Sequence, residues 1–367
     1  MKICILLPYA NPHVTGWIDE FIRISKHEIV VGVVNSVMKY RNNYFKEVDN
    51  NDGYLYFFKN SQNAKSFKLE LKDCECFISL GMFEQWFLKS LFLMPNVRKI
   101  FILSEPFREI NKWNLFARKF YAELVKTLKN NSKYSFLCIG GPIVKEQYSS
   151  FGFSKTKFYR FGYFPNLCLE PKDFNRKISI IRILFVGQLI PRKGVDILLR
   201  AIKYLQRKYT NWQVEIIGDG TLRKRVFKSI MNEKRVQYIE NISDRSIMKT
   251  KFDNHDILFL PSYFDGWGAV VNEALSSCCS LLLSQNVFAG VELLKHDENG
   301  FKFNPYNLNE VYASIDKYFE TPEILNKHFR KSFEIFQEWN HKNAACSFNE
   351  FLNNKNNEKS KTLLKDI

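Results

Sequence analysis

No apolar run in the 367 residues approaches the roughly 18–20 needed to span a bilayer, although 46% of the chain is hydrophobic. A transmembrane helix is therefore not expected. The opening Met1–Ala10 has too short an apolar core for a secretion signal, and Pro8 interrupts it, so a first β-strand is expected there. The eight cysteines lack metal-binding spacing. Cys74-x-Cys76 and the adjacent Cys278-Cys279 are neither CxxC pairs nor zinc knuckles, so buried free thiols in a reducing cytoplasm and no metal site are expected. Acids are in the minority, 38 against 54 lysines and arginines, for a net charge of +16. Such a surplus raises nucleic-acid binding, but the cations are scattered over many elements and no recognition motif accompanies them, so no nucleic-acid partner is expected. The Gly218-Asp-Gly220 turn lacks the third glycine and the downstream acid of a dinucleotide fingerprint, which argues against an NAD enzyme.

What is present is an alternation of apolar strands with amphipathic helical stretches, run through twice. In the first half the strands are expected at Lys2–Pro8, Glu28–Asn35, Tyr54–Phe58, Cys76–Leu80, Lys99–Ser104, Ser135–Ile139 and Lys157–Arg160. In the second they fall at Ile181–Val186, Gln213–Ile217, Arg235–Tyr238, Ile257–Leu260, Ser280–Ser284 and Gly300–Phe303. A polar, proline-bearing stretch divides the halves. The pattern predicts an α/β protein of two doubly wound parallel-sheet domains, residues 1–165 and 179–335, joined by a linker at 166–178. Residues 336–353 read as a C-terminal helix and 354–367 as a polar, fraying tail.

Three segments of the second half carry chemistry. Directly behind the apolar run Ile257–Pro261 comes Asp265-Gly-Trp-Gly268-Ala269-Val270-Val-Asn-Glu273, two carboxylates eight positions apart across a turn and a helix start. The backbone N–H groups of Gly268, Ala269 and Val270 suit a phosphate. A carboxylate at Glu273 can accept from paired hydroxyls such as those of a ribose. Asp265, ahead of the turn, can reach what lies beyond the phosphates. Strand Ile183–Val186 runs into Gly187-Gln188-Leu-Ile-Pro-Arg192-Lys193-Gly194, where two adjacent cations suit a diphosphate, each contact worth about 4 kcal/mol at an effective dielectric near 20. Gly218 and Gly220 end a third strand at the edge where Rossmann-type folds bind ligands.

These segments resemble the large retaining "group 1" glycosyltransferases of family 4. Asp265-x7-Glu273 is similar to the family's Glu-x7-Glu motif, with a shorter first acid. The 187–194 loop is similar to Gly-Arg-Leu-x-x-x-Lys-Gly, with Lys193 matching, Gln188 at the arginine position, and Arg192 as a candidate replacement for that charge. Phe288-Ala-Gly290-Val-Glu292 resembles the family's glycine-bearing segment near the donor. The resemblance implies a GT-B architecture, two Rossmann-like domains facing a central cleft, with residues 336–353 crossing back to the first. It implies retaining transfer of a hexose from a nucleoside diphosphate sugar, UDP- or GDP-linked, without a further cofactor. The acceptor would be a polysaccharide or lipid-linked oligosaccharide. A GT-B sugar-nucleotide epimerase and a non-catalytic, transferase-like binding protein share such a site and stay open.

The first domain is expected to take the acceptor. Its loop Ala10–Trp17 carries His13, a candidate for donor or acceptor binding or for an ordinary surface residue, and Gly16, where many relatives have a Gly-Gly pair. Glu105 stands where relatives often place a histidine; it reads as a base or acceptor ligand, or as a helix cap before Pro106. Residues 1–165 carry 24 lysines and arginines against 14 acids. Within Phe107–Lys133, Arg108, Lys112, Arg118, Lys119, Lys126, Lys129 and Lys133 mingle with Trp113, Phe116, Phe120 and Tyr121, opposed by Glu109 and Glu123. That pattern is read two ways: as a face for an anionic membrane, which would place the protein on the cytoplasmic side of the plasma membrane, or as core aromatics under a solvated basic surface.

Overall fold

The computed structural model describes residues 1–35, 53–83, 85–108, 112–169, 173–175, 177–353 and 363–367. They form two compact units, residues 1–166 with 340–367, and residues 167–339.

The first unit is a seven-stranded, all-parallel sheet ordered β3-β2-β1-β4-β5-β6-β7. Its strands are β1 (Lys2–Tyr9), β2 (Glu28–Asn35), β3 (Tyr54–Tyr56), β4 (Cys76–Leu80), β5 (Lys99–Ser104), β6 (Tyr134–Ile139) and β7 (Lys157–Phe161). Near-continuous apolar runs form these strands because helices cover both faces of a parallel sheet. Helices α1 (Pro12–Ile24), α2 (Ser61–Glu70), α3 (Gln85–Phe92), α4 (Lys112–Leu128) and α5 (Pro142–Tyr148) make the crossovers. One face packs Cys4, Leu6, Phe77 and Ile102 against Phe67 of α2, Phe87 of α3, Val125 of α4 and Val144 of α5. On the other face Trp17 and Phe21 of α1 meet Phe348, which belongs to the last helix of the chain.

The second unit is a six-stranded parallel sheet ordered β10-β9-β8-β11-β12-β13. Its strands are β8 (Ile181–Val186), β9 (Trp212–Ile217), β10 (Val236–Ile239), β11 (Ile257–Leu260), β12 (Ser280–Ser284) and β13 (Gly300–Phe303). Around it lie α6 (Val195–Lys208), α7 (Arg223–Ile230), α8 (Arg245–Asp253), α9 (Val270–Ser276), α10 (Ala289–Leu293), α11 (Leu308–Glu320) and α12 (Ile324–Glu338). The final helix, α13 (His341–Asn353), is part of the first unit, so the chain returns there between Trp339 and Asn340.

Several expectations need correction. The stretch read as a linker is packed: Leu169, Phe174 and Ile178 lie against the core of the second unit, and Phe174 meets Phe333. The tail does not fray at its end. Arg160 donates to the Lys365 carbonyl at 2.8 Å and Ile367 to that of Phe158 at 3.0 Å, so the last residues extend the sheet beside β7. Residues 354–362 lie outside the described residues. Six cysteines are buried free thiols, but Cys168 and Cys346 are exposed.

The basic segment 107–133 also differs from its reading. Arg118 stacks between the rings of Phe83 and Phe107, with centroids 4.8 and 4.5 Å away. Lys126 pairs with Glu123, and Lys129 and Lys133 donate to the Met94 and Val97 carbonyls at 2.7 and 2.8 Å. Those four cations serve the fold instead of forming an open charged face. Tyr121 is half-buried against Phe83, whereas Phe116 and Phe120 stand exposed. Glu109 and the side chains of Lys112 and Trp113 lie outside the described residues. Among the described residues no helix is long and apolar enough to cross a membrane.

Candidate functional site

In each sheet the strand order reverses once, between β1 and β4 and between β8 and β11. Open parallel sheets bind ligands outside the carboxyl ends of the strands at such a point. In the second unit the loops leaving β8 and β11 hold the three charged candidates ahead of the helix. Glycine makes their close approach possible: Gly194 has φ 70°, and a Cβ there would lie 1.9 Å from the Pro261 carbonyl oxygen. Tyr263 donates to the Arg192 carbonyl at 2.9 Å, tying the loops together.

Lys193 and Asp265 form an ion pair, both side chains largely buried. Arg192 donates through Nη1 to the Phe264 carbonyl at 2.7 Å. Both cations expected at a diphosphate are thus held in place by the loop that carries Asp265. That loop is anchored in turn: Asp265 donates its N–H to the Asn286 carbonyl at 2.9 Å, and Asn286 Nδ2 donates to the Tyr263 carbonyl at 3.1 Å. Gly268 has φ 91°, and a Cβ there would come within 2.9 Å of Val287.

Helix α9 begins at Val270, after Gly268 and Ala269, so Glu273 is its fourth residue. Glu273 is half-buried, and desolvation raises its pKa to about 7, with Arg245 pulling weakly the other way. Two residues overlooked in the sequence lock this element. Trp267, fully buried, donates through Nε1 to Asn272 Oδ1 at 2.8 Å and stacks on Trp339. The signal was an aromatic residue between two glycines, where a turn alone would favour a polar one.

The glycines divide by role. Gly218 (φ 150°) and Gly220 (φ 159°) face the backbone of the β8 loop, where a Cβ would fall 1.9 Å from the Gly187 oxygen and 2.5 Å from the Leu189 oxygen. Gly187 donates to the Ile217 carbonyl at 3.0 Å, and Leu189 to that of Asp219 at 2.8 Å. Loop-to-loop packing therefore accounts for Gly218 and Gly220 by itself. At Gly187 a Cβ would meet only Phe185, at 3.8 Å. Gly290 lies inside α10 with ordinary contacts, and Glu292 is buried in the same helix.

In the first unit the expected loop after β1 is short. Asn11 caps α1, its side chain accepting from the His13 N–H at 3.0 Å, and Pro12 occupies the first helical position. His13 and Gly16 are therefore helical. A Cβ on Gly16 would lie 2.5 Å from the Asn166 nitrogen, so its smallness serves packing. His13 stacks on Tyr163 with centroids 6.4 Å apart, and the Tyr163 hydroxyl donates to the exposed Glu105. Residues 105–108 are not helical, and α4 starts at Lys112, which removes the reading of Glu105 as a cap. The ends of β1, β5 and β7 thus converge on one carboxylate–phenol–imidazole cluster. Tyr163 was missed because nothing in its sequence neighbourhood separates it from core aromatics.

The family described as glycosyl transferases group 1 matches residues 171–334. The matched residues lie within the second unit, which in that region resembles the group 1 glycosyl transferases. An uncharacterized glycosyltransferase of Haemophilus influenzae is 32% identical over 172 residues, 46% of this chain and 47% of that one. A 41.2 kDa protein of the cps region of Klebsiella pneumoniae is 31% identical over 176 residues, covering 48% of this chain and 42% of the other. The chain thus spans less than half the length of these curated relatives. Anabaena HepE, solved in complex with UDP, superposes with a TM-score of 0.67 at 16% identity over 96% of this chain and 100% of that one. The fold is GT-B, two Rossmann-like units built on parallel sheets.

Within the second unit the two classes of glycine give opposite expectations. Gly218→Ala should destabilise the domain by about 3 kcal/mol through overpacking, seen as a lower urea midpoint. Gly187→Ala should leave that midpoint unchanged, so any loss of nucleotide affinity it causes reports on ligand contact. A destabilised Gly187→Ala would contradict this assignment.

Proposed function

We propose that the protein transfers a hexose from a nucleoside diphosphate sugar, with retention, onto a polysaccharide or lipid-linked oligosaccharide acceptor. The observation that carries this reading is the Lys193–Asp265 ion pair at the switch point of the second unit's sheet, with Glu273 in the helix that follows the Asp265 loop. UDP in HepE supports a uridine-linked donor. Arg192 and Lys193 take the diphosphate, and Glu273 the ribose hydroxyls. Asp265 holds Lys193 until the donor arrives, then faces the sugar. Retention rests on the family resemblance.

Catalysis on this reading is positioning and charge stabilisation. The departing diphosphate leaves as an anion toward Arg192 and Lys193 and can draw the proton from the incoming hydroxyl on the same face. In the first unit Glu105, with His13 and Tyr163 behind it, would bind an acceptor hydroxyl.

Mass spectrometry of reactions with UDP- and GDP-hexoses, with and without lipid-extracted or polysaccharide acceptors, tests the proposal. Nucleoside diphosphate and glycosylated product appearing only with acceptor support transfer. An isomerised sugar nucleotide or free sugar formed without acceptor would replace it with epimerisation. No turnover with any acceptor, despite bound nucleotide, would favour a binding protein.

A further inference from the structure

Helices α2, α3 and α4 cover one face of the first unit's sheet, and each turns a large apolar side chain outward. Phe116 and Phe120, 67% and 68% exposed, stand one turn apart on α4; Phe92 on α3 is 66% exposed and Leu69 on α2 is 59% exposed. Isolated exposed apolar residues are ordinary. Here three of the four have an exposed lysine three or four positions away on the same helix. Lys65 lies four residues before Leu69, Lys89 three before Phe92, and Lys119 three after Phe116. Residues three and four apart share a helix surface, so the same apolar–cationic pairing recurs on three adjacent helices.

We infer that this helix layer docks on an anionic lipid bilayer. The rings and Leu69 would enter the boundary between headgroups and acyl chains while the lysines reach lipid phosphates. Charge decides the occupant. The exposed Lys65, Lys68, Lys89 and Lys119 outnumber the exposed acid of these helices, Glu123, which Lys126 already pairs. A second copy would therefore meet a surplus of like charge, whereas anionic headgroups complement it. The inference deepens the reading of a lipid-linked acceptor by supplying the surface that would bring the protein to it. It does not use the four cations of segment 107–133 that are engaged within the fold.

Flotation with phosphatidylcholine vesicles, with and without phosphatidylglycerol, tests it on the full chain. The wild type should float only with phosphatidylglycerol. The variant Phe116→Ser/Phe120→Ser should stay at the bottom, while Lys65→Gln/Lys89→Gln/Lys119→Gln should bind on the order of 100-fold more weakly, about 5-fold for each lysine. Wild type that fails to float, or variants that float as well as wild type, would overturn the docking surface. So would size-exclusion profiles showing that the phenylalanine variant only converts a dimer to a monomer. Nucleoside diphosphate titration of the same samples separates the two readings: intact nucleotide binding without flotation rejects docking alone, and flotation without nucleotide binding rejects the donor site alone.

Discussion

Replacing Glu273 with Gln is expected to cut nucleotide-sugar turnover by 10²-fold or more while leaving the protein at least as stable as wild type above pH 7. The carboxyl sits in a desolvating environment that raises its pKa to about 7. In the unfolded chain the same group titrates near 4.3. The folded state therefore binds its proton more tightly, so stability falls as pH rises from about 4.3 to about 7 and is flat above. The cost of the ionised form reaches a few kcal/mol at most. An amide of the same shape escapes it, so the advantage of Glu273→Gln in urea melts should appear above pH 7 and vanish near pH 4. Ligand binding runs the other way. Two hydroxyls donating to an ionised carboxylate are worth about 1.5–3 kcal/mol each, and they require the charged form. Wild-type affinity for the nucleoside diphosphate should weaken about 10-fold per pH unit below 7. The Gln variant should show no such slope. A group that costs stability and repays it only with ligand bound is what a binding site predicts and a core residue does not. Full activity in Glu273→Gln would dismiss the ribose assignment.

The second large effect concerns Lys193. Its partner Asp265 is buried, and removing one member of a buried pair leaves an uncompensated charge, which costs about 3–5 kcal/mol. Lys193→Ala should therefore lose both stability and nucleotide affinity. Adding Asp265→Ala removes the stranded carboxylate and should restore most of the stability. Nucleotide affinity should not return, because the diphosphate still lacks its cation. Urea melts and calorimetric titration of the four members of this cycle read the two effects separately. If the double variant regains nucleotide binding, Lys193 serves only as a counter-ion to Asp265, and Arg192 carries the diphosphate alone.

The strands were legible because parallel sheets covered on both faces write themselves as apolar runs: Glu28–Asn35, Cys76–Leu80 and Ile257–Leu260 fall where those runs begin and end. The charged loop candidates were legible because chemistry-bearing residues cluster behind strand ends, as Lys193 and Asp265 do. Side-chain direction was not. Arg118 and Phe120 are two positions apart on α4, yet one is clamped between rings while the other faces outward. Composition counts both alike. Contacts between distant segments were equally hidden, among them the pairing of Arg160 with Lys365, the Tyr163 hydroxyl on Glu105, and the backbone crossing that dictates Gly218. The start of α1 is written locally, in the cap residue Asn11 followed by Pro12 at the first helical position, which leaves no glycine loop after β1.

A thermal-shift panel with UDP, GDP, CDP, ADP and dTDP, with and without magnesium, tests the central claim most directly. A ligand at 100 times its dissociation constant stabilises by about 2.7 kcal/mol, which moves the midpoint by several degrees. The donor-site assignment predicts that shift for one diphosphate class in the wild type and its loss in Glu273→Ala. No shift with any of the five, or an equal shift in wild type and Glu273→Ala, would contradict it.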